Sequence, residues 1–287
     1  MDAAMARKTW RSLEAVHGMI YFTPDAPPAY AAIGISSPRA GYFLSRSAAM
    51  GAVPAEVVIA TFYNFHPGLV RRAMHGGWAT ATPEAVTAAR LDAVDTSLRR
   101  AFGAELLGSA ELARAAELTR RAALTACEHP EGRPLLAGHA SLSWPGEPHL
   151  ALWHAQTLLR EFRGDGHVAA LALAGLSGLD ALLSHAASGE VPAEVLRLSR
   201  SWSEDEWATG LASLATRGVV DGTGAFTDAG RAQRQQIEDA TDRAALVAYE
   251  ALTDDEAAEL ISIGRTLTKQ VLAAGLLQVD PARFDDA

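Results

Sequence analysis

Cysteine and long apolar stretches are scarce in this sequence. Its 287 residues include one cysteine, Cys127, which excludes a disulfide framework and is typical of a reducing compartment. The longest mainly apolar stretch, residues 168–179, is too short to cross a bilayer. The first ten residues, MDAAMARKTW, lack the apolar core of a signal peptide. We therefore expect a cytoplasmic protein with no membrane partner.

Lysine is almost absent, and basic residues are outnumbered. Lys8 and Lys269 are the two lysines among 25 basic residues, there are 34 acidic residues, and the formal net charge is −9. This balance argues against an extended surface for nucleic-acid phosphates, although a local basic patch can exist within the average. Hydrophobic residues make up 49% of the chain, as in a folded globular protein.

Several chemical motifs are missing as well. The sequence has no H-E-x-x-H, C-x-x-C or EF-hand pattern, and no Walker A or Rossmann glycine pattern. The residues 175–178 (Gly-Leu-Ser-Gly) do not form the nucleophile elbow G-x-S-x-G. Cys127 and His129 are two positions apart and would seldom meet on a helix. We therefore predict no metal and no cofactor.

The hydrophobic pattern predicts a mainly helical chain. Apolar residues recur three and four positions apart over most of the sequence. Two short strands, 219–220 and 225–226, are predicted around the turn signal Asp-Gly-Thr-Gly. Residues 128–148 contain four prolines and three glycines and are predicted to form a linker. The predicted helices are 8–22, 54–65, 83–107, 109–127, 147–162, 166–187, 203–217, 228–251 and 254–276.

An internal repeat divides the chain. The pentapeptide Val-Pro-Ala-Glu-Val occurs at 53–57 and again at 191–195, and His17 and His154 lie at a similar offset upstream. Several matches in one order favour a duplication, although alanine-rich sequences inflate similarity. The predicted organisation is a first, degenerate repeat at 1–127, a linker at 128–148, and a second repeat with C-terminal helices at 149–287.

The second repeat carries the more specific pattern. Ser203 and Glu206 form a capping box, residues 217–220 (Arg-Gly-Val-Val) follow the helix, and the next helix begins near Gly230. This order resembles the winged helix of MarR-type regulators. The whole chain also resembles an actinobacterial helix-turn-helix family without an assigned activity, through residues 61–65 (Thr-Phe-Tyr-Asn-Phe) and 159–167 (Leu-Arg-Glu-Phe-Arg-Gly-Asp-Gly-His).

The MarR resemblance implies a fold and two functions. The expected fold is mainly α: a tandem winged-helix pseudo-dimer with one small β-wing, present as a monomer or a homodimer. The family implies a ligand pocket between the helical dimer region and the winged helices, and DNA binding by a recognition helix. However, the helix that begins at Ser203 opens with three carboxylates, and residues 56–66, matched to it in the first repeat, are apolar and aromatic. Carboxylates would repel DNA phosphates, so we predict that DNA binding has been lost.

Two histidines fall on apolar helix faces, where an unpaired polar group is unfavourable. His17 and His154 are therefore either hydrogen-bonded core residues or a pair of pocket residues at the junction of the repeats. Glu161 lies two turns after His154 on the same face and could orient or protonate a pocket.

A denser polar cluster follows in residues 160–167. In one interpretation it is structural: Gly164 ends one helix, Asp165 caps the next, and Arg163 pairs with an acid. In the other, Arg160, Arg163 and Asp165 bind a ligand, with Arg163 holding a carboxylate or phosphate, and His167 acts as acid or base.

Aromatic residues beside polar groups suggest a small-molecule site, although the same residues could close a core. The leading hypothesis is a small-molecule-binding protein, extended to a cofactor-independent acid–base enzyme of specialised metabolism. The alternatives are a ligand-responsive MarR-type regulator that binds DNA and an interaction module. Proposed catalytic residues are His17, His154, Glu161 and His167, and proposed ligand-binding residues are Tyr21, Phe62, Tyr63, Asn64, His66, Trp153, Arg160, Arg163 and Asp165.

Overall fold

The structure, a computed structural model, describes residues 1–277, and within them the chain is almost entirely helical. The first eight helices are α1 (Ala3–Ser12), α2 (Glu14–Gly18), α3 (Ala26–Ala31), α4 (Pro38–Ser47), α5 (Ala55–Phe62), α6 (Pro67–Met74), α7 (Gly77–Thr80) and α8 (Pro83–Leu107). The next eight are α9 (Ala110–Cys127), α10 (Pro134–Ala140), α11 (Pro148–Leu173), α12 (Gly178–Ala187), α13 (Ala193–Ser199), α14 (Glu204–Thr216), α15 (Asp228–Leu246) and α16 (Asp254–Ala273). Short 3₁₀ turns occupy Met19–Tyr21, Ala48–Met50 and Val247–Tyr249.

The predicted break inside residues 160–167 is wrong. Helix α11 runs through Gly164 without interruption and ends near Gly175, whose φ is 67°. A glycine inside a helix costs only about 1 kcal/mol relative to alanine, and both flanks of this one are buried against neighbouring helices. Asp165 does not cap a following helix, because its carboxylate accepts the backbone N–H of Leu136 at 3.0 Å.

The predicted pair of strands is reduced to a turn. Asp221 accepts the N–H of Gly224 at 3.0 Å, and one isolated antiparallel bridge joins Val220 to Phe226. No extended strand forms in residues 1–277. Two residues on each side of a turn are too few to build a ladder that would be stable alone.

The segment 128–148, predicted as a linker, contains a packed helix. Helix α10 begins with Pro134 in its first turn, and Leu135 and Leu136 are buried. It packs on α11. A proline at the first helical position is favourable because its missing N–H would have no partner there. This segment is therefore part of the folded core.

Two hydrophobic cores organise the chain. The larger one includes the buried side chains of α1 to α10, the first half of α11, and α16. The smaller one extends from Leu171 to Ile237 and is centred on α12 and α14. Helix α11 contributes to both, since Phe162 belongs to the first and Leu171 to the second. The two halves of the chain are therefore packed unequally.

No single helix in the described part of the chain is long and apolar enough to cross a membrane. Two pairs of helices reach the required length and apolar composition only when both members are counted together, and each pair is bent at the break between them. The pairs are 38–50 with 55–62 and 148–173 with 178–187.

Candidate ligand-binding site

A cavity of about 510 Å³ lies between the two halves of the chain. One side is formed by α2, the 3₁₀ turn after it, α3 and the start of α4. The other is formed by Arg160 of α11 and by Ser199 and Arg200 at the end of α13. Apolar walls come from residues on both halves and on the loops between them, including Ile20, Phe22, Pro27, Ile35, Phe65 and Leu277.

Helix α4 supplies one wall, and local sequence explains where it begins. The Ser37 hydroxyl accepts the N–H of Ala40 at 3.3 Å, and Pro38 occupies the first turn, as is typical of a helix start. Arg39, Tyr42 and Ser45 follow at intervals of three and all line the cavity. The positive end of the α4 dipole also lies at the cavity, which favours an anion there.

The cavity is rich in arginine although the protein as a whole is acidic. Arg39, Arg160 and Arg200 line it, and Glu14 is the one carboxylate among the lining residues that the structure describes. Arg160 is held by Glu14 at 3.0 Å, and Arg39 donates to the carbonyl of Ser199 at 2.9 Å. The local balance therefore favours a negatively charged occupant.

Arg200 differs from the other two guanidinium groups. Within residues 1–277 it forms no ion pair; it donates to the Ser199 hydroxyl at 2.8 Å and lies 4.8 Å from the centroid of the Phe65 ring. Burial lowers the pKa of Arg200, and Arg46 lowers it further. A ligand carboxylate would supply the counter-ion that Arg200 lacks in this part of the chain.

Two more arginines lie directly behind the cavity wall. Arg90 is 3% exposed and donates to the Ser45 carbonyl at 2.6 Å. Arg46 lies 3.6 Å from Glu161 and 4.2 Å from the centroid of the Phe62 ring. Burial raises the pKa of Glu161, but Arg46 and Arg160 outweigh it, and the pKa is lowered. Glu161 is thus an ionised counter-ion behind the wall.

The hydrogen bonds of His17 fix the direction of the Tyr21 hydroxyl. Thr157 donates its own proton to the Trp153 carbonyl at 2.9 Å, so it must accept from His17 Nδ1, 3.0 Å away. Burial, reinforced by neighbouring arginines such as Arg160, lowers the pKa of His17 well below its ordinary value and keeps it neutral. Its Nε2 therefore accepts the proton of Tyr21 at 3.0 Å.

Tyr42, on helix α4 beside Tyr21, has different partners. Arg46 Nη1 donates to its hydroxyl at 2.9 Å. Burial raises the pKa of Tyr42, but the charges of Arg46, Arg200 and Arg160 outweigh burial and the pKa is lowered. The ring lies 5.5 Å from that of Tyr21.

Some of the residues proposed from the sequence lie at or near this cavity. Tyr21 and Arg160 line the cavity. His17 lies behind Tyr21, with the Trp153 ring stacked on it at 5.4 Å. Phe62 lies beneath Arg46. His17, Phe62 and Trp153 therefore lie behind the cavity wall and support it without lining it, as Glu161 does.

The other predicted catalytic histidines lie elsewhere. His154 is 4% exposed, packs edge-on against Trp144 at 4.8 Å, and has its pKa lowered to about 4 by burial. His167 bonds to Thr241 at 2.9 Å, and burial also lowers its pKa to about 4. Neither of them nor His17 lines the cavity, so the expected pair of pocket histidines does not form.

The predicted anion clamp is engaged in structural ion pairs. Arg163 Nη1 lies 2.6 Å from Asp242, and Nη2 lies 3.5 Å from Glu238. Burial raises the pKa of Asp165 to about 7, and its carboxylate binds the start of α10. Both residues join α11 to other elements; Arg163 pairs with acids as the structural interpretation expected, whereas Asp165 does not cap a following helix.

Tyr63, Asn64 and His66 hold the two halves together. The Tyr63 hydroxyl donates to the Leu176 carbonyl at 2.5 Å. The Trp202 indole donates to the Asn64 carbonyl at 2.9 Å, and His66 lies 3.1 Å from Glu206. None of the three lines the cavity; their neighbour Phe65 does.

Sequence reasoning missed Arg39, Tyr42 and Arg200. It predicted neither α4 nor α13, the helices from which these residues extend. The pair Ser37-Pro38 was the available signal for α4, because it places an N-cap before a proline in the first turn. No group of metal-ligating side chains occurs within residues 1–277.

The chain belongs to a helix-turn-helix family, whose model matches residues 6–278. This places it on a scaffold of the DNA-binding type. No curated protein and no solved structure matches the chain.

Proposed function

We propose that this protein binds a small, partly aromatic carboxylate in the cavity between its halves, and that it does not bind DNA as paired recognition helices do. The observation that supports this most is the trio Arg39, Arg160 and Arg200 around an apolar space of about 510 Å³. A cavity of this size fits a small organic molecule, and a few placed polar groups among apolar walls are typical of such sites. Arginine matches a carboxylate in planar, two-pronged geometry.

We also propose that the scaffold is duplicated, and matching helix starts support this. Ser37 and Ser177 cap ten-residue helices, α4 and α12. Pro54 and Pro192 precede α5 and α13, and Thr82 and Thr227 cap α8 and α15. His66 and Ser203 occupy corresponding caps, before α6 and α14.

Backbone strain supports the same correspondence. Tyr63 and Ser201 follow α5 and α13, and they are the two non-glycine residues with positive φ in residues 1–277, at 59° and 57°. Such a backbone costs about 1–3 kcal/mol for a residue other than glycine. By this matching, α6, with exposed Arg71 and Arg72, is the counterpart of α14, and not the segment 56–66.

The loss of DNA binding is supported by how the two halves meet. Recognition helices of a symmetric pair enter major grooves about 34 Å apart. Here the cap of α6, His66, contacts the first turn of α14 at Glu206, 3.1 Å away. The first turn of α14 also carries Glu204 and Asp205. Two helices whose N-termini touch cannot enter successive grooves, and these carboxylates repel phosphates.

Binding of 1-naphthoate, measured by calorimetry beside the uncharged analogue 1-naphthamide, tests the proposal. We expect 1-naphthoate to bind and Arg200→Gln to weaken it roughly 10- to 100-fold, since a hydrogen bond to a charged group is worth about 1.5–3 kcal/mol. Arg231→Gln, at an exposed arginine of α15, is the control and leaves binding unchanged. Equal binding of the amide, or full binding by Arg200→Gln, would contradict the proposal. A salt-sensitive gel shift on double-stranded DNA would contradict the loss of DNA binding.

A further inference from the structure

We propose that Tyr42 is the specific hydrogen-bond donor of the cavity: its phenolic O–H is donated to an oxygen atom of the bound carboxylate, and Arg46 orients the hydroxyl by donating to its oxygen. This inference rests on the proposed function, because it needs a ligand in the cavity. It adds a directional contact, beyond the arginine charges, to the binding site.

The direction of one hydrogen bond carries the argument. A guanidinium group can only donate, so Tyr42 is the acceptor in its 2.9 Å contact with Arg46. Its own O–H must then be donated elsewhere. Within residues 1–277, no carbonyl, carboxylate or imidazole accepts it, and Tyr42 lines the cavity. The natural acceptor is therefore a ligand atom.

Tyr21 provides the contrast inside the same cavity. Its proton is directed to His17 Nε2, and its oxygen receives N–H groups from Arg90 at 3.3 Å and Arg160 at 3.4 Å. The Tyr21 hydroxyl thus donates to His17, whereas the Tyr42 hydroxyl has no acceptor within residues 1–277 and lines the cavity. Of the two tyrosines, Tyr42 is the one arranged to donate a hydrogen bond to a ligand.

The charged groups near Tyr42 come from several elements, and the Tyr21 and Phe65 rings also pack against it. Arg46 lies one turn further along α4, Arg160 comes from α11, and Arg200 comes from the end of α13. Glu161 is the nearby carboxylate and lies 3.6 Å from Arg46. Burial alone would raise the pKa of Tyr42, but the three arginines reverse that effect. The same charges make the Tyr42 hydroxyl a stronger hydrogen-bond donor.

No bond breaks in this contact: the proton stays on Tyr42 and is shared with the ligand oxygen. The ligand class that fits is an aromatic oxo acid, since Arg200 would hold its carboxylate and its carbonyl oxygen would accept the Tyr42 hydrogen bond.

A titration of the free protein tests the state of Tyr42 without any ligand. The ultraviolet absorbance of tyrosinate is followed against pH for the wild type and variants. In the wild type we expect one tyrosine to ionise at a lower pH than the others. This first ionisation should be absent from Tyr42→Phe and should move to higher pH in Arg46→Met. Tyr249→Phe is the control, because burial raises the pKa of Tyr249. If the earliest ionisation persists in Tyr42→Phe, the proposal is overturned.

A second measurement tests hydrogen-bond donation itself, with benzoylformate as the probe. We expect wild-type affinity to fall about fivefold or more as Tyr42 ionises, since one hydrogen bond contributes about 1 kcal/mol. Tyr42→Phe should bind more weakly and lose this pH dependence while melting like the wild type. An unchanged pH profile in that variant overturns hydrogen-bond donation. If the wild type binds neither benzoylformate nor 1-naphthoate, the proposed function fails, and the titration of the free protein still reports on Tyr42.

Discussion

His66, the cap of α6, and Glu206, in the first turn of α14, lie 3.1 Å apart and join these two helices. Two hydrogen bonds accompany this pair: the His66 N–H donates to the Arg200 carbonyl at 3.0 Å, and the Trp202 indole donates to the Asn64 carbonyl at 2.9 Å. Because Phe65 and Arg200 also line the cavity, the junction borders the candidate site.

Gly178 makes the closest backbone approach at this junction. A Cβ atom there would lie 1.9 Å from the Tyr63 carbonyl oxygen, so Gly178→Ala has to push the halves apart. We expect a loss of about 1–3 kcal/mol in the free energy of unfolding, as for other overpacked sites, measured by urea denaturation. Gly164→Ala is the control, because its nearest neighbour is an ordinary 3.7 Å away; it should be neutral or stabilising by up to about 1 kcal/mol. Equal stability of the two variants would contradict this packing.

Stability should fall on the acid side because buried histidines are neutral. Burial lowers the pKa to about 3 for His139 and to about 4 for His154 and His167. The unfolded chain takes up protons below its ordinary histidine pKa of about 6.5, whereas the folded chain does not. Stability is therefore complete above pH ~6.5 and is lost as the pH falls toward about 4.

Replacement of His154 isolates one of these protons. His154→Leu should make the decline between pH ~6.5 and ~4 shallower, by up to roughly 3 kcal/mol for a shift of this size. Urea midpoints measured at several pH values provide the check. An identical slope in wild type and variant would show that His154 is not buried in the neutral form.

Asp165 has the opposite pH dependence. Burial raises its pKa to about 7, so the folded chain keeps a proton that the unfolded chain releases near pH ~4. Its contribution to stability is complete below pH ~4 and is lost as the pH rises through about 7. Asp165→Asn keeps an acceptor for the Leu136 N–H and should be more stable than the wild type above pH ~7, by at most a few kcal/mol. Lower stability than the wild type at pH ~8 would contradict a raised pKa for Asp165.

Arg163 should matter for stability and not for ligand binding. Arg163→Met leaves Asp242 and Glu238 with less compensation, and we expect a loss of about 3 kcal/mol, as for other broken, largely buried pairs. The affinity for 1-naphthoate should stay at the wild-type value, unlike that of Arg200→Gln. Calorimetry on the folded variant separates the two effects; weakened binding would restore Arg163 as a ligand clamp.

Local signals in the sequence predicted much of the fold. The capping box at Ser203 and Glu206 begins α14 as expected, and a helix over most of 228–251 is found as α15. The helix break predicted at Gly164 does not occur, because the tertiary packing of α11 outweighs the weak helix propensity of one glycine. Helix α4 was missed since it is short, mixes polar and apolar residues, and is stabilised by burying Phe43 and Leu44.

The candidate site was less predictable because it depends on contacts between distant residues. Tyr21 and Arg160 were both proposed from the sequence and line the cavity; Arg160 was proposed because it belongs to the dense polar cluster at 160–167. Arg46, Glu161 and Arg160 form a chain of charges across 115 positions of the sequence, and neither local pattern nor spacing encodes that proximity. The hydrogen-bond partner of His17 is likewise Thr157, a residue 140 positions away, and no sequence pattern relates the two.

The near absence of lysine acquires a physical meaning at the cavity. A buried lysine readily gives up its proton, whereas a buried arginine stays charged at any pH at which a protein folds. The cationic groups in and behind the wall, among them Arg39, Arg90 and Arg200, therefore hold a constant positive potential. Lysine at any of these positions would turn a fixed charge into a titrating one. These arginines therefore add no titration of their own to the pH response of the site.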